Sequence, residues 1–280
     1  MKALQQHPSA TIIFPTAVLL ISLASLLMLL TLPAAAAPQT RYVDGAGGLD
    51  SGGCAGAANP CQTISYALDQ ALDGDTIKVA QGTYQENLAI SGNIDLLGGF
   101  DPADWEAAPA LYGSIIDGRR LGSVVTYDGE FAGTLGGFKI TAGKAELGGG
   151  IFIDMAAPDL QNLWIVDNEA ADSGGGIYLN QGRVSISDSK LQNNKAANFG
   201  GALHITTSSS DLANLDITGN TAGSGGGLSL DNTGRVKLNS SELAQNEGTS
   251  QSGAIHVVDG LLEIDRSVLA ANTALDHGGV

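Results

Sequence analysis

Residues 174–203 read GGGIYLNQGRVSISDSKLQNNKAANFGGAL, and what recurs within them decides the fold. Three short alternating segments stand out: Ile177-Tyr178-Leu179, Val184-Ser185-Ile186 and, less cleanly, Lys190-Leu191-Gln192. Alternation of apolar and polar residues marks a half-buried strand. The intervening Gly, Asn and Ser make these segments too short for helices. The glycine step recurs along the chain as Gly149-Gly150-Ile151, Gly175-Gly176-Ile177, Gly201-Ala202-Leu203, Gly226-Gly227-Leu228 and Gly253-Ala254-Ile255. A sixth begins at Gly278-Gly279-Val280, and the successive spacings are 26, 26, 25, 27 and 25.

Three further columns keep an unbroken period of 26. They are Leu160, Ile186, Leu212, Leu238, Ile264; Ile165, Leu191, Ile217, Leu243, Leu269; and Asn168, Asn194, Asn220, Asn246, Asn272. Repeats of this length signal a solenoid. The dense leucine pattern of leucine-rich repeats is absent. Three short strands and three turns per repeat make one coil of an all-β, right-handed, single-stranded parallel β-helix. The two apolar columns become walls of a continuous core. The asparagine column becomes a ladder at a turn, since asparagine tolerates left-handed backbone and its amide reaches the next rung.

Upstream, Thr76 to Val79, Leu88 to Ile90, Ile94 to Leu97, Ile115-Ile116, Val124-Val125 and Phe138 to Ile140 read as strands of earlier, less regular coils. Ile64, Ala67, Leu68, Ala71 and Leu72 have helical spacing, which predicts a short helix that caps the first coil. The organisation expected is therefore residues 1–37 as a signal segment, 38–75 as a Gly-rich loop with the capping helix, and 76–280 as the solenoid. The chain stops three residues into a repeat, as a truncated product or fragment would.

The first segment has Lys2, an apolar run from Thr16 to Leu32, and alanines 34–37, the pattern of a secretory signal. Two outcomes fit it: cleavage near Ala36, or retention as a membrane anchor. Export places Cys54 and Cys61 in an oxidising compartment, where such a lone pair forms a disulfide. The formal net charge is −16, with no basic footprint, which excludes nucleic acid as a partner.

The stretch Cys61-Gln62-Thr63-Ile64, Ala67-Leu68, Gly74 to Val79 and Gly82-Thr83-Tyr84-Gln85-Glu86 resembles the first coil of bacterial pectin-lyase-like β-helix proteins. The Gly-Gly-x-Ile steps with Leu-x-x-Asn in the same coil resemble repeats of chlamydial-type polymorphic outer membrane proteins. Those repeats carry Phe where this chain has Leu191, Ile217, Leu243 and Leu269. The resemblance implies an exported, surface-displayed stalk or adhesin. The same fold also hosts polysaccharide lyases and hydrolases, so fold alone does not fix activity. The Gly-His-Gly motif of the hydrolases is absent. Asp276-His277-Gly278-Gly279 lacks partner motifs, and Arg119-Arg120 reads as a solvated pair in a turn. No catalytic residue is therefore assigned.

One column invites a ligand. After each glycine step the apolar residue points inward and its successor outward. The successors are Phe152, Tyr178, His204, Ser229 and His256; two positions on lie Asp154, Asn180, Thr206, Asp231 and Val258. Rings flanked by polar groups, on rungs about 4.8 Å apart, form a candidate glycan-binding strip. The expected partner is a polysaccharide or cell-surface molecule; the competing readings are a polysaccharide-active enzyme and a purely structural stalk. No cofactor and no metal are assigned. Asp44, Asp50, Asp101 and Asp104 are the loop carboxylates from which a calcium site could be assembled.

Overall fold

In the computed structural model the residues described are 37–107 and 113–276. Residues 1–36 of the expected signal segment, His277 and the sixth glycine step lie outside them. The chain winds as an all-β parallel solenoid with about 26 residues per turn. Among the described residues the first wall has nine strands, from Thr40–Val43 to Leu261–Asp265. The second has eight, from Gly82–Tyr84 to Val268–Ala270. The third has six short strands, from Lys144–Leu147 to Thr273–Ala274. The fourth has seven, from Leu88–Ile90 to Ile255–Val257.

The periodic columns are the registers of these walls. Leu160 pairs with Ile186, Ile186 with Leu212, Leu212 with Leu238 and Leu238 with Ile264 on the first wall. Ile165, Leu191, Ile217, Leu243 and Leu269 pair in the same way on the second. Ile151, Ile177, Leu203, Leu228 and Ile255 do so on the fourth. Because strand side chains alternate between faces, each column delivers one apolar residue inward per turn, and they merge into one core.

The third wall corrects the expectation of three strands per coil. Its strands, such as Glu169–Ser173, Lys195–Ala196 and Thr221–Ser224, bury little more than one alanine each. Ala170, Ala196 and Ala222 form a small cluster apart from the main core. One alanine per pass gives no alternation to read. The spacing jitter falls in this wall: Lys195 pairs with Thr221, 26 residues on, but Phe199 bridges to Ser224, only 25 on.

The asparagine ladder runs inside the second corner. Asn168, Asn194, Asn220 and Asn246 are buried. Each amide nitrogen donates to the oxygen of the next asparagine, at 3.0–3.1 Å, and to a strand carbonyl. The left-handed backbone expected of these residues sits one position earlier, at Asp167, Asn193, Gly219, Gln245 and Ala271. That residue turns the chain, which leaves the asparagine side chain free to fold back into the corner.

A helix, Ile64–Gln70, packs on Thr40–Val43, Thr76–Ala80 and Leu88–Ile90 at the amino-terminal coil. Thr63 caps it, and the Glu86 carboxylate accepts from the amides of Ile64 and Ser65. Cys54 and Cys61 are disulfide-bonded in the preceding loop. Arg41 and Asp75 form a buried ion pair at 2.7 Å beside that helix. Among the described residues no helix is long and apolar enough to cross a membrane.

Candidate functional site

The outward residues of the fourth wall are set by strand pairing. Phe152 lies beside Tyr178, Tyr178 beside His204, His204 beside Ser229 and Ser229 beside His256. The rings stack. Phe152 and Tyr178 have centroids 5.7 Å apart and planes within 3°, and Tyr178 and His204 are 5.5 Å apart at 25°. The stack should break at Ser229, which has no ring. Phe199 closes the gap, with its centroid 5.9 Å from that of His204 and 6.0 Å from that of His256. Five rings thus run along the solenoid axis without interruption. Because they cover one another's faces, the strip presents ring edges outward, and ring edges carry the positive end of the quadrupole.

Phe199 was missed as a site residue. It belongs to the third wall's last column, Leu147, Ser173, Phe199, Ser224 and Gln251, paired coil to coil. Each member lies five residues before a ring-column position, across the glycine corner. That constant offset was the signal that could have found it. The corner is tight because the first glycine of each step has no space for a side chain: a Cβ on Gly201 would lie 2.6 Å from the Thr221 carbonyl oxygen.

Between the two columns, over Ser229, lies a pocket of about 220 Å³ lined by Tyr178, Phe199, His204, Ser229, Asp172 and Asp231, among others. His204 is 6 % exposed and Ser229 fully buried. His204 Nδ1 and Ser229 Oγ have no hydrogen-bond partner. Burial pushes the His204 imidazole down to about 4, against the pull of Asp231 and Asp172, so the ring is neutral at neutral pH. Burial, then Asp154, Asp172 and Asp231, raise the Tyr178 hydroxyl above its ordinary value.

The carboxylates differ in their commitments. Asp154 accepts from Asn180 Nδ2 at 2.8 Å, and Asp172 from Asn198 Nδ2 at 2.5 Å. Asp231 is exposed, and no ion pair neutralises any of the three among the described residues. Asp154, Asn180, Thr206 and Asp231 follow one another in register, as the sequence spacing requires. His256 ends the ring stack, and Val258 lines the pocket rim. Ser229 Oγ and His204 Nδ1 do not bond to each other, so the hydroxyl lacks the base contact that activates a serine nucleophile.

The other residues singled out in the sequence lie elsewhere. Asp44, Asp101 and Asp104 accept from the amides of Ala46, Ala103 and Glu106, two residues on in each case, and Asp50 accepts from those of Gln62 and Thr63. Among the described residues no group of three or more His, Cys, Asp or Glu side chains is placed to hold a metal ion. Arg119 and Arg120 occupy a left-handed turn, and Arg120 pairs with Glu169.

Fold and site together define a class: a parallel β-solenoid with a strip of stacked rings along one wall and a pocket beside it. Compared with known proteins, the chain matches no protein-family model, no curated protein and no solved structure.

Proposed function

We propose that the chain is an exported, secreted or surface-displayed β-solenoid scaffold that binds a polysaccharide along its fourth wall and does no chemistry on it. The continuous stack of five rings beside a row of polar side chains carries this reading. A long, regular strip of rings suits a polymer, whose repeating units meet successive rungs about 4.8 Å apart. Ring edges attract hydroxyl oxygens, and Asp231, Thr206 and Asn180 accept or exchange hydroxyl protons. The signal-like first segment supports export. The resemblance of the amino-terminal coil to pectin-lyase-like proteins, and of the glycine steps to chlamydial-type surface repeats, supports display. The net charge of −16 disfavours polyanionic chains.

Affinity electrophoresis in gels containing neutral and amino-sugar polysaccharides tests this. Retardation by at least one polymer is expected. The double substitution Phe152→Ala with Tyr178→Ala should abolish it while the circular dichroism spectrum stays unchanged. Binding that survives in the double variant overturns the assignment of the strip. Release of unsaturated or reducing-end products by the unmodified protein overturns the non-catalytic reading in favour of a lyase or hydrolase.

A further inference from the structure

The pocket over Ser229 is one-sided in charge. Asp231 is its exposed carboxylate; of the other lining residues, His204 Nδ1 and Ser229 Oγ are buried and have no hydrogen-bond partner among the described residues, and Ser173, Tyr178 and Thr206 carry hydroxyls. Asp172 adds a second carboxylate, and no Lys or Arg is among the lining residues. The imidazole nitrogen accepts when the ring proton is on Nε2, and the carboxylates only accept. The charged lining is all negative, so a ligand that fills this pocket is favoured by positive charge. Phe199 and Tyr178 also line the pocket.

We infer that this pocket is a subsite for the ammonium group of an amino-sugar residue, so that the polysaccharide taken by the strip is one with free, de-N-acetylated amines. The inference rests on the glycan-binding reading and sharpens it. An acetamido group brings one N–H donor, an acceptor carbonyl and no charge. That carbonyl would face Asp231 and Asp172. A uronate would bring a third carboxylate to two unneutralised ones, and like charges at close range repel. The ammonium instead finds Asp231 without an ion pair among the described residues, with Asp172 in the same lining.

Titration calorimetry of the full chain at about pH 6, where carboxylates are ionised, separates the possibilities. The probes are glucosamine, N-acetylglucosamine and galacturonate oligomers of equal length. The glucosamine oligomer is expected to bind about tenfold or more tightly than the N-acetylated one, and the galacturonate oligomer not at all. Asp231→Asn should remove most of that preference. Glu242→Gln, an equal charge change on the outer face of the second wall, should leave it intact and so controls for general attraction to an acidic protein. Ser229→Leu, which fills the pocket without changing charge, is a second probe wherever circular dichroism shows that it folds. Equal binding of the two amino-sugar oligomers overturns the ammonium subsite but leaves the glycan-binding strip standing. A preference that survives Asp231→Asn, or falls equally in Glu242→Gln, overturns the assignment to this pocket. Failure of all three oligomers and of neutral glucans to bind defeats the glycan reading itself, and this inference with it.

Discussion

Removing one rung of the asparagine ladder tests how the solenoid is held together. Asn220 is fully buried. Its Nδ2 donates to the Leu191 carbonyl at 2.8 Å and to Asn246 Oδ1 at 3.0 Å. Its Oδ1 accepts from the Asn194 backbone amide at 2.8 Å and from Asn194 Nδ2 at 3.1 Å. In Asn220→Ala the Asn194 amide loses its acceptor and the Leu191 carbonyl loses this donor, where water does not reach. Each buried polar group left unmet costs about 1–3 kcal/mol, so two cost about 4 kcal/mol together. Asn272→Ala removes the same chemistry from a half-buried place, where water substitutes, and should cost about 1 kcal/mol. Urea unfolding followed by circular dichroism gives the difference in stability. Amide hydrogen exchange over residues 190–200 reads the same contact locally, which matters because solenoid coils can unfold in steps. A loss below about 1 kcal/mol for Asn220→Ala, or an unchanged exchange rate at Asn194, refutes the ladder as a stabilising element.

Other expectations follow from the same geometry. The His204 imidazole sits at about 4 in the folded chain against an ordinary 6.5, so the unfolded chain binds an extra proton between those values. Stability should therefore fall as pH drops from about 6.5 to 4, by roughly 3 kcal/mol in full, and His204→Phe should flatten that part of the profile; identical urea midpoints in both proteins across this range would contradict it. Burial alone would raise the Asp75 carboxyl, but the amides of Leu72 and Gln39 and the Arg41 guanidinium outweigh it and hold it below its ordinary 3.8. Its contribution is present above that value and lost as pH falls through the lower folded one. Asp75→Asn leaves Arg41 buried without its counter-charge and should cost about 3–5 kcal/mol in urea unfolding, a change under about 1 kcal/mol being the refuting result. Gly201→Ala should destabilise by roughly 3 kcal/mol, because backbone atoms of Thr221 and Gly226 occupy the place of the new Cβ; a Cβ on Gly176 meets backbone only at the Ala202 carbonyl oxygen, 2.5 Å away, and its column already holds Ala202 and Ala254, so Gly176→Ala should cost less, and equal thermal midpoints for the two variants would show the corner to be looser than described.

The order of elements was legible because a solenoid repeats one coil. Each apolar column in the sequence is a single register on a single wall, and a slip of one residue would turn Ile177 and Leu179 out of the core. The ring column was legible for the same reason: Phe152, Tyr178, His204 and His256 all follow an inward residue by one position. The third wall was not, because a strand that buries only Ala170 or Ala196 leaves no alternation. Nor was the left-handed corner, since the chain turns at Asn193 to let Asn194 reach inward, and both are asparagine.

What the sequence by itself determined is the coil, its period and which side chains face the core, since these depend only on strand alternation repeated about every 26 residues. What only the tertiary structure decided is the pocket. Phe199 stacks between His204 and His256 across a glycine corner, over a rung whose own residue is the small Ser229. That contact joins two columns with different outward directions, beside a stretch of the third wall where the spacing shortens by a residue. Neither column's pattern contains the angle at which the walls meet, so the enclosed space, and the burial that holds His204 neutral beside two carboxylates, exist only once the coils are stacked.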